Sequence, residues 1–179
     1  MTIVLQVPGA GSVSALLMRP WRSDDLPALV AAHRDPELRR WLNTSLTDEA
    51  QARHWLDRQA TGWATATRFS FAVVADTDDR SPRGLVAVTV GTAGSAEVGY
   101  WTAGHARGQG VAARALETVS QWALGAQDIV PLTHLDLCHA VANQASCRVA
   151  VRCGYALRDL LPAAPPAYPD IGHRHVRTT

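Results

Sequence analysis

The sequence predicts one domain of the α/β (α+β) class, in which helices flank a mostly antiparallel central sheet. Three observations support this class: helical spacing of apolar residues in the first third, three strand-like segments with short connections, and a later alternation of helix and strand patterns. The chain has 179 residues, enough for one hydrophobic core, and it contains neither an internal repeat nor a linker-like segment. We therefore expect residues 1–179 to form a single domain.

The N-terminal third should contain one strand and three helices. Pro20 should end the strand, and Ser23 should cap the first helix, where the macrodipole favours the acidic Asp24 and Asp25. The predicted elements are a strand over Val13 to Arg19, a helix beginning after Ser23, a short helix from Pro36 to about Trp41, and a helix from about Thr47, its cap, to Gly62.

An antiparallel meander of three strands should follow. The strands are predicted at Arg68 to Ala75, Gly84 to Val90 and Ala96 to Thr102. The segments between them carry Asp, Ser, Pro and Gly, which are typical of turns, and they are short enough to connect neighbouring antiparallel strands.

Helices and strands alternate in the C-terminal half. The apolar stripe of the segment from Gly110 to Leu124 predicts a long helix, with Gly125 as its C-terminal cap. The remaining elements should be a strand over Leu132 to Val141, a helix capped by Asn143 and ending near Gly154, and strands over Tyr155 to Leu161 and Ile171 to Thr178.

Composition excludes several classes of function. The net charge is +1, so no broad positive surface invites nucleic acid or an anionic membrane. No apolar run reaches the roughly 20 residues of a membrane span, and no signal peptide is recognisable, so we expect a cytoplasmic protein. The three cysteines form no C-x-x-C pair, which fits a reducing compartment and predicts no metal site.

One glycine-containing loop opens the long helix. A helix start exposes N–H groups without helical partners and carries partial positive charge, so it accepts anions such as phosphate. Glycines allow close approach of a ligand, and an arginine supplies a planar cation. The loop reads Arg107, Gly108, Gln109, Gly110, Val111 and Ala112. The chain lacks lysine altogether, which rules out a Walker-type nucleotide loop.

Several motifs in order resemble the core of the GNAT superfamily of N-acetyltransferases. They are the strand Ala96-Glu97-Val98-Gly99-Tyr100-Trp101, the spaced Arg107-x-x-Gly110-x-Ala112, the helix start Asn143-x-x-Ser146 and the closing Cys153-Gly154-Tyr155. The segments Leu17-Met18-Arg19-Pro20 and Asp24-Asp25-Leu26, together with Ser146, look like the subgroup that acetylates ribosomal-protein N-termini. The resemblance covers about Ala15 to Leu161.

The resemblance implies a mixed central sheet whose fourth and fifth strands splay apart. The co-substrate would be acetyl-CoA, with no metal involved. Its pantetheine arm would pair with the main chain of Tyr100, Trp101 and Thr102, as an added strand does. Its pyrophosphate would lie on the N–H groups of Arg107 to Ala112, and Asn143 would cap its helix and contact pantetheine.

Glu97 and Ser146 are the candidate catalytic residues. Glu97 lies on the strand where several members of the family carry a glutamate base, and the resemblance places the Ser146 hydroxyl near the departing thiol. Each also has a purely structural interpretation: Glu97 could simply face solvent, and the Ser146 hydroxyl could simply bond local backbone. Many family members carry a tyrosine acid seven residues after the asparagine, where this chain has Ala150.

Other residues are weaker candidates for the chemistry. Asp136 and His139 are reserve bases, and Cys138 would need a cationic neighbour to act as an acyl carrier. Tyr155 is more simply a core aromatic after a glycine cap. The histidines His173 and His175 are expected to be polar members of the last strand. The tryptophans Trp41, Trp55 and Trp63 are expected to wall the acceptor site, although tryptophans are more often core residues.

The sequence therefore predicts an N-acyltransferase that moves acetyl, or another small acyl group, from CoA directly to a primary amine. The expected acceptor is a protein N-terminus or a small amine. An aminoglycoside or metabolite acetyltransferase and a non-catalytic acyl-CoA-binding regulatory domain remain as alternatives. Whether the chain forms a homodimer is left open.

Overall fold

One sheet organises the part of the chain that the computed structural model describes, residues 3–9, 11, 13–166 and 168–179. Its strand order is β1-β2-β3-β4-β5-β6-β8-β7. The strands are β1 (Leu5–Val7), β2 (Leu16–Pro20), β3 (Arg68–Ala75), β4 (Gly84–Val90), β5 (Ser95–Thr102), β6 (His134–Ala140), β7 (Ala156–Leu161) and β8 (Gly172–Thr178). Neighbours are antiparallel except β5 and β6, which are parallel, so the sheet is mixed and mostly antiparallel.

Five α-helices accompany the sheet in the described residues. They are α1 (Leu26–His33), α2 (Pro36–Arg39), α3 (Glu49–Ala64), α4 (Val111–Gln121) and α5 (Gln144–Arg152). Short 3₁₀ turns precede α1 and α4, and a π-helical turn, Trp122–Ala126, extends α4. None of the helices in this part of the chain is both long enough and apolar enough to cross a membrane.

The predicted meander is confirmed. β3 and β4 have the predicted bounds, and β5 begins one residue earlier, at Ser95. The strand predicted to begin at Val13 is shorter and begins at Leu16. The three-residue β1 was not predicted, because so short a segment shows no measurable alternation.

Three predicted helix boundaries were wrong. Ser23 begins a 3₁₀ turn and does not cap α1. The cap of α3 is Asp48, whose carboxylate accepts the Gln51 N–H at 2.9 Å, while Thr47 hydrogen-bonds the Gln51 side chain. Gly125 lies inside the π-helical turn and lacks the left-handed conformation of a glycine cap.

Each face of the sheet carries its own core. One core packs α4 against the sheet and includes Ala96, Val98, Leu116 and Val119. The other packs α1, α2 and α3 against the opposite face and includes Trp101. Because side chains alternate along β5, Glu97 and Gly99 share the face of Trp101.

A buried ion pair joins β2 to the turn before α1. Arg19 and Asp25 are each 2% exposed, and the guanidinium donates to both carboxylate oxygens at 2.8 and 2.9 Å. Asp25 also accepts the N–H of Arg22 at 2.8 Å. Hydrogen bonding to Asp25 raises the pKa of Arg19, so the charged form is held in the core. The pair explains why the sequence motifs around Arg19 and Asp25 occur together.

Asp25→Ala should lower the free energy of unfolding by about 3–5 kcal/mol, because it leaves the guanidinium of Arg19 buried without a counter-ion. Urea unfolding followed by circular dichroism measures the loss. The exposed neighbour Asp24 gives the matched control, and Asp24→Ala should stay within about 0.5 kcal/mol of wild type. Equal effects of the two substitutions would contradict a stabilising role for the pair.

Candidate active site

The groove of the protein begins where β5 and β6 separate. The two strands pair only at Ser95 with His134, Ala96 with Leu135, and Glu97 with Asp136. From Val98 to Thr102, β5 keeps its partner β4 but has no strand partner on its other edge within the described residues. The predicted splay is therefore present. It was expected between the fourth and fifth strands, and it lies between β5 and β6 because the additional strand β1 shifts the numbering by one.

The main chain of β5 borders this groove. Trp101 is 8% exposed and its ring packs with Trp21 and His33, at centroid distances of 6.0 and 6.2 Å, so its side chain belongs to the core. A Cβ added at Gly99 would meet no heavy atom within 4 Å, so the groove is open beside this residue. The free edge from Tyr100 to Thr102 therefore offers the backbone groups that the predicted pantetheine contacts would use.

The start of α4 has the conformation that the glycine loop predicted. Gly108 and Gly110 have φ angles of +74° and +71°, which disfavour residues with a side chain. Arg114 is the first residue of the helix whose N–H reaches a carbonyl of this segment, that of Gly110 at 3.1 Å. The N–H groups before it, including those of Val111 and Ala112, have no helical acceptor and can bind an anion.

The guanidinium of Arg107 is not free at this helix start. It donates to Asp35, the cap of α2, at 2.5 Å, and the pair is partly exposed. Two further arginines that sequence reasoning missed lie at the same end of α4. Arg83 donates to the Gln109 side chain at 2.8 Å, and Arg114 donates to carbonyls of the N-terminal segment. Arg114 lies within the first turn of α4, so its position in the sequence could have identified it as a cation near the helix start.

Glu97 lies at the last paired position of β5, at the entrance to the groove. Its side chain is accessible to solvent, yet enough protein surrounds it that desolvation raises its pKa. The charge of Asp136 across the strand pair adds to this rise, and Arg68 on β3 opposes it. Glu97 makes no ion pair within the described residues, so it can accept a proton.

The two reserve bases are more constrained than Glu97. Asp136 is already ion-paired with Arg174 at 2.9 Å. His139 faces the opposite side of β6 from Asp136, and its Nδ1 lies 2.8 Å from the carbonyl oxygen of Ala140. Burial lowers the pKa of His139. The structure thus brings Asp136, but not His139, onto the face of Glu97.

Asn143, Ser146 and Tyr100 meet at the start of α5. The Asn143 side chain accepts the Ser146 N–H at 3.1 Å, which confirms the predicted cap. The Ser146 hydroxyl lies 2.9 Å from the Tyr100 hydroxyl. Sequence reasoning named Tyr100 for its main chain and missed this side-chain contact across the splay. Burial raises the pKa of Tyr100 to about 12, so the phenol stays protonated near neutral pH.

The remaining candidates have structural surroundings. Tyr155 is 2% exposed and bonds the Ser120 hydroxyl at 2.6 Å, which confirms it as a core aromatic. Burial raises the pKa of Cys138 to about 11, so it is a poor nucleophile. Trp63 packs against Phe69 and Phe71 in the α4-side core, and its place in the acceptor wall stays a prediction.

This geometry matches one family. Residues 15–156 match the family model described as the acetyltransferase (GNAT) domain, and the chain therefore belongs to the GNAT acetyltransferase family. It is an acyl-CoA-dependent N-acetyltransferase. No curated protein sequence matches the chain significantly.

Solved structures with the same fold include acetyltransferases of ribosomal proteins. RimJ of Mycobacterium smegmatis, bound to CoA-disulfide, has a TM-score of 0.80 at 19% identity, covering 99% of this chain and 87% of RimJ. RimL, the ribosomal L7/L12 α-N-protein acetyltransferase in complex with coenzyme A, has a TM-score of 0.80 at 18% identity over 97% of both chains. The enzyme of Salmonella typhimurium that modifies the N-terminal serine of L7/L12 scores 0.78 at 18% identity, covering 97% and 99%.

Proposed function

We propose that this enzyme transfers an acetyl group from acetyl-CoA directly to the α-amino group of a protein N-terminus. The observation that carries the proposal is the unpaired edge of β5, which runs from Glu97 toward the start of α4. One end of this edge offers a carboxylate with a raised pKa, and the other leads to a helix start with unpaired N–H groups. We place the activity in the cytoplasm, where the free thiols of the three cysteines stay reduced.

Acetyl-CoA is proposed to lie along this edge. The amides of its pantetheine arm pair with the main chain of Tyr100, Trp101 and Thr102, and Asn143 contributes an amide from the opposite wall. The pyrophosphate lies on the N–H groups of Gly108 to Ala112, because the Arg107 N–H already donates to the Gly104 carbonyl at 3.4 Å. The charges of Arg83 and Arg114 at the same helix end favour this placement.

Glu97 acts as the general base in the proposed mechanism. It takes a proton from the acceptor amine, directly or through water, and the neutral nitrogen attacks the thioester carbonyl. A carbon–nitrogen bond forms and the carbon–sulfur bond then breaks. A raised pKa brings the basicity of Glu97 closer to that of the amine, which makes the transfer easier than for an ordinary carboxylate.

Ser146 and Tyr100 stabilise the departing thiolate. Their hydroxyls form one hydrogen-bonded pair at 2.9 Å, so a hydrogen bond donated from Ser146 to the thiolate sulfur is supported by the phenol behind it, and the thiolate takes its proton from solvent. The high pKa of Tyr100 makes it a hydrogen-bond donor rather than a strong acid. This pair supplies a hydroxyl near the groove although the tyrosine position of many family members holds the buried Ala150.

A protein N-terminus suits this site better than a lysine side chain. An α-amino group has a pKa near 7.7–8.0, against about 10.4 for lysine. A carboxylate base therefore removes a proton from the α-ammonium group more easily than from the lysine side chain. The overall similarity to RimJ and RimL, at TM-scores of 0.80, is consistent with this acceptor class.

An acceptor screen that detects released CoA thiol tests the proposal. A short peptide with a free N-terminus should support turnover, and the same peptide with a blocked N-terminus and one internal lysine should not. Mass spectrometry should place the acetyl group on the first residue. Turnover with small amines but with no peptide would contradict the protein acceptor, and tight acetyl-CoA binding without turnover would contradict the enzyme.

In the proposed complex the Arg107 guanidinium exchanges Asp35 for a phosphate oxygen, so Arg107→Gln should weaken acetyl-CoA binding by about tenfold, the worth of one charge-assisted hydrogen bond. Isothermal titration calorimetry measures the change. Asp35→Asn is the matched control, because it removes the competing charge while an asparagine can still cap α2. That variant should bind acetyl-CoA as tightly as wild type or more tightly. Equal weakening in both variants would mean that Arg107 acts only by fixing α2.

Glu97→Gln should slow turnover and remove the acidic limb of the pH profile. In wild type, kcat/KM should fall as the pH drops through the pKa of Glu97, which lies above the ordinary value of 4.5. Asp136→Asn removes a charge that raises this pKa, so it should move the limb to lower pH. Asp159→Asn removes the other carboxylate bound to Arg174 and should leave the limb in place. An unchanged limb in Glu97→Gln would rule out this base.

A further inference from the structure

Four potential metal ligands meet on the sheet face opposite Glu97. They are His139 on β6, Cys147 on α5, and His173 and His175 on β8. One donor atom from each lies within 4.8 Å of all the others. The pairing of β6 with β8 places His139 opposite His173, and alternation along β8 brings His175 to the same face. Cys147 reaches this group from the first turns of α5.

The distances suit a small tetrahedral ion. The Cys147 sulfur lies 3.3 Å from His173 Nδ1 and 3.8 Å from His175 Nε2. A zinc ion with bonds of about 2.3 Å to sulfur and 2.05 Å to nitrogen holds such atoms about 3.6 Å apart at a tetrahedral angle. The two observed distances lie on either side of this value, and the other donor pairs, all within 4.8 Å, need only side-chain movements to reach tetrahedral spacing.

Two of the histidines are held in the orientation that a metal requires. The Nδ1 atoms of His139 and His175 face the carbonyl oxygens of Ala140 and Tyr155, at 2.8 and 3.4 Å. An Nδ1–H that donates to a carbonyl leaves the lone pair on Nε2, which is how outer contacts prepare a ligand histidine. His139 Nε2 is buried and finds no hydrogen-bond partner among the described residues. A buried imidazole nitrogen with no partner is costly unless a ligand binds it.

We propose that His139, Cys147, His173 and His175 form a zinc site that ties α5 to β6 and β8. Imidazole nitrogen and thiolate sulfur are both donors that zinc takes, and four protein ligands leave no position for a substrate, which makes the site structural. On binding, the Cys147 thiol loses its proton to solvent and its sulfur bonds the metal. This inference departs from the sequence-based expectation of no metal.

The site would fix the helix that carries Ser146. Cys147 is the next residue along α5, so a bond from its sulfur to an ion on β6 and β8 holds the start of the helix in place. His173 and His175 on β8, expected from the sequence to be polar strand residues, would thereby act as metal ligands. Zinc binding and acyl transfer remain separable, because a metal titration needs neither acetyl-CoA nor an acceptor.

Metal titration of untagged protein, first stripped with a chelator, tests the site. Wild type should bind one equivalent of zinc, and one equivalent of Co²⁺ should produce thiolate-to-cobalt charge-transfer absorption. Cys147→Ser should lose this absorption and bind zinc more weakly by about 100-fold or more. His173→Gln, at a half-exposed position, should weaken zinc binding in the same way. Cys138→Ser, on the opposite face of β6, is the matched control and should behave as wild type.

Thermal unfolding separates loss of the site from loss of the fold. Zinc should raise the Tm of wild type and of Cys138→Ser, and should leave the Tm of Cys147→Ser unchanged. Circular dichroism of the stripped variants shows whether each is folded before the titration. Failure of wild type to bind one equivalent, or equal zinc affinity in wild type and Cys147→Ser, would overturn the proposal.

Discussion

Hydrogen bonding between β5 and β6 covers three residue pairs, and the groove exists because the pairing stops there. Each strand is paired on its other side, β5 with β4 over seven positions and β6 with β8 over seven. The separation therefore leaves each half of the sheet hydrogen-bonded while it frees one row of backbone groups between them. A ligand with its own amides could pair with this row as an added strand does.

This separation also decides where the charged groups meet. Glu97 and Asp136 stand at the last point of contact, where two carboxylates face each other across one strand pair. Asp136 is ion-paired with Arg174, whereas Glu97 has no ion pair within the described residues and a raised pKa, so two similar side chains have different surroundings. A difference of this kind is what separates a base from a structural carboxylate.

Local patterns in the sequence predicted the elements but not the contacts between them. The bounds of β3 and β4 and the Asn143 cap follow from neighbours within a few positions, and the structure confirms them. The Arg107–Asp35 pair joins residues 72 positions apart, and the Tyr100–Ser146 bond spans 46. No spacing rule covers such distances, because the fold alone brings these side chains together.

The four-ligand cluster shows the same limit for metal sites. Cysteine spacing gave no indication of zinc, since only one of the four residues is a cysteine and the others come from two different strands. A His-x-His segment on a strand is the only local signal, and it is equally typical of a polar edge. The residues that bind a metal on a sheet are recognised by strand register, here that of β6 against β8.

Three indole rings lie directly behind the free edge of β5. Trp21 contacts Trp55 edge to face at 5.4 Å and Trp101 at 6.0 Å, and Trp101 belongs to the strand that borders the groove. Rings this close couple electronically, so their near-ultraviolet dichroism and fluorescence depend on their relative orientation. A ligand that pairs with the free edge of β5 would bind the strand that carries Trp101, so these coupled rings offer an intrinsic optical signal, without any attached label, with which occupancy of the groove can be tested.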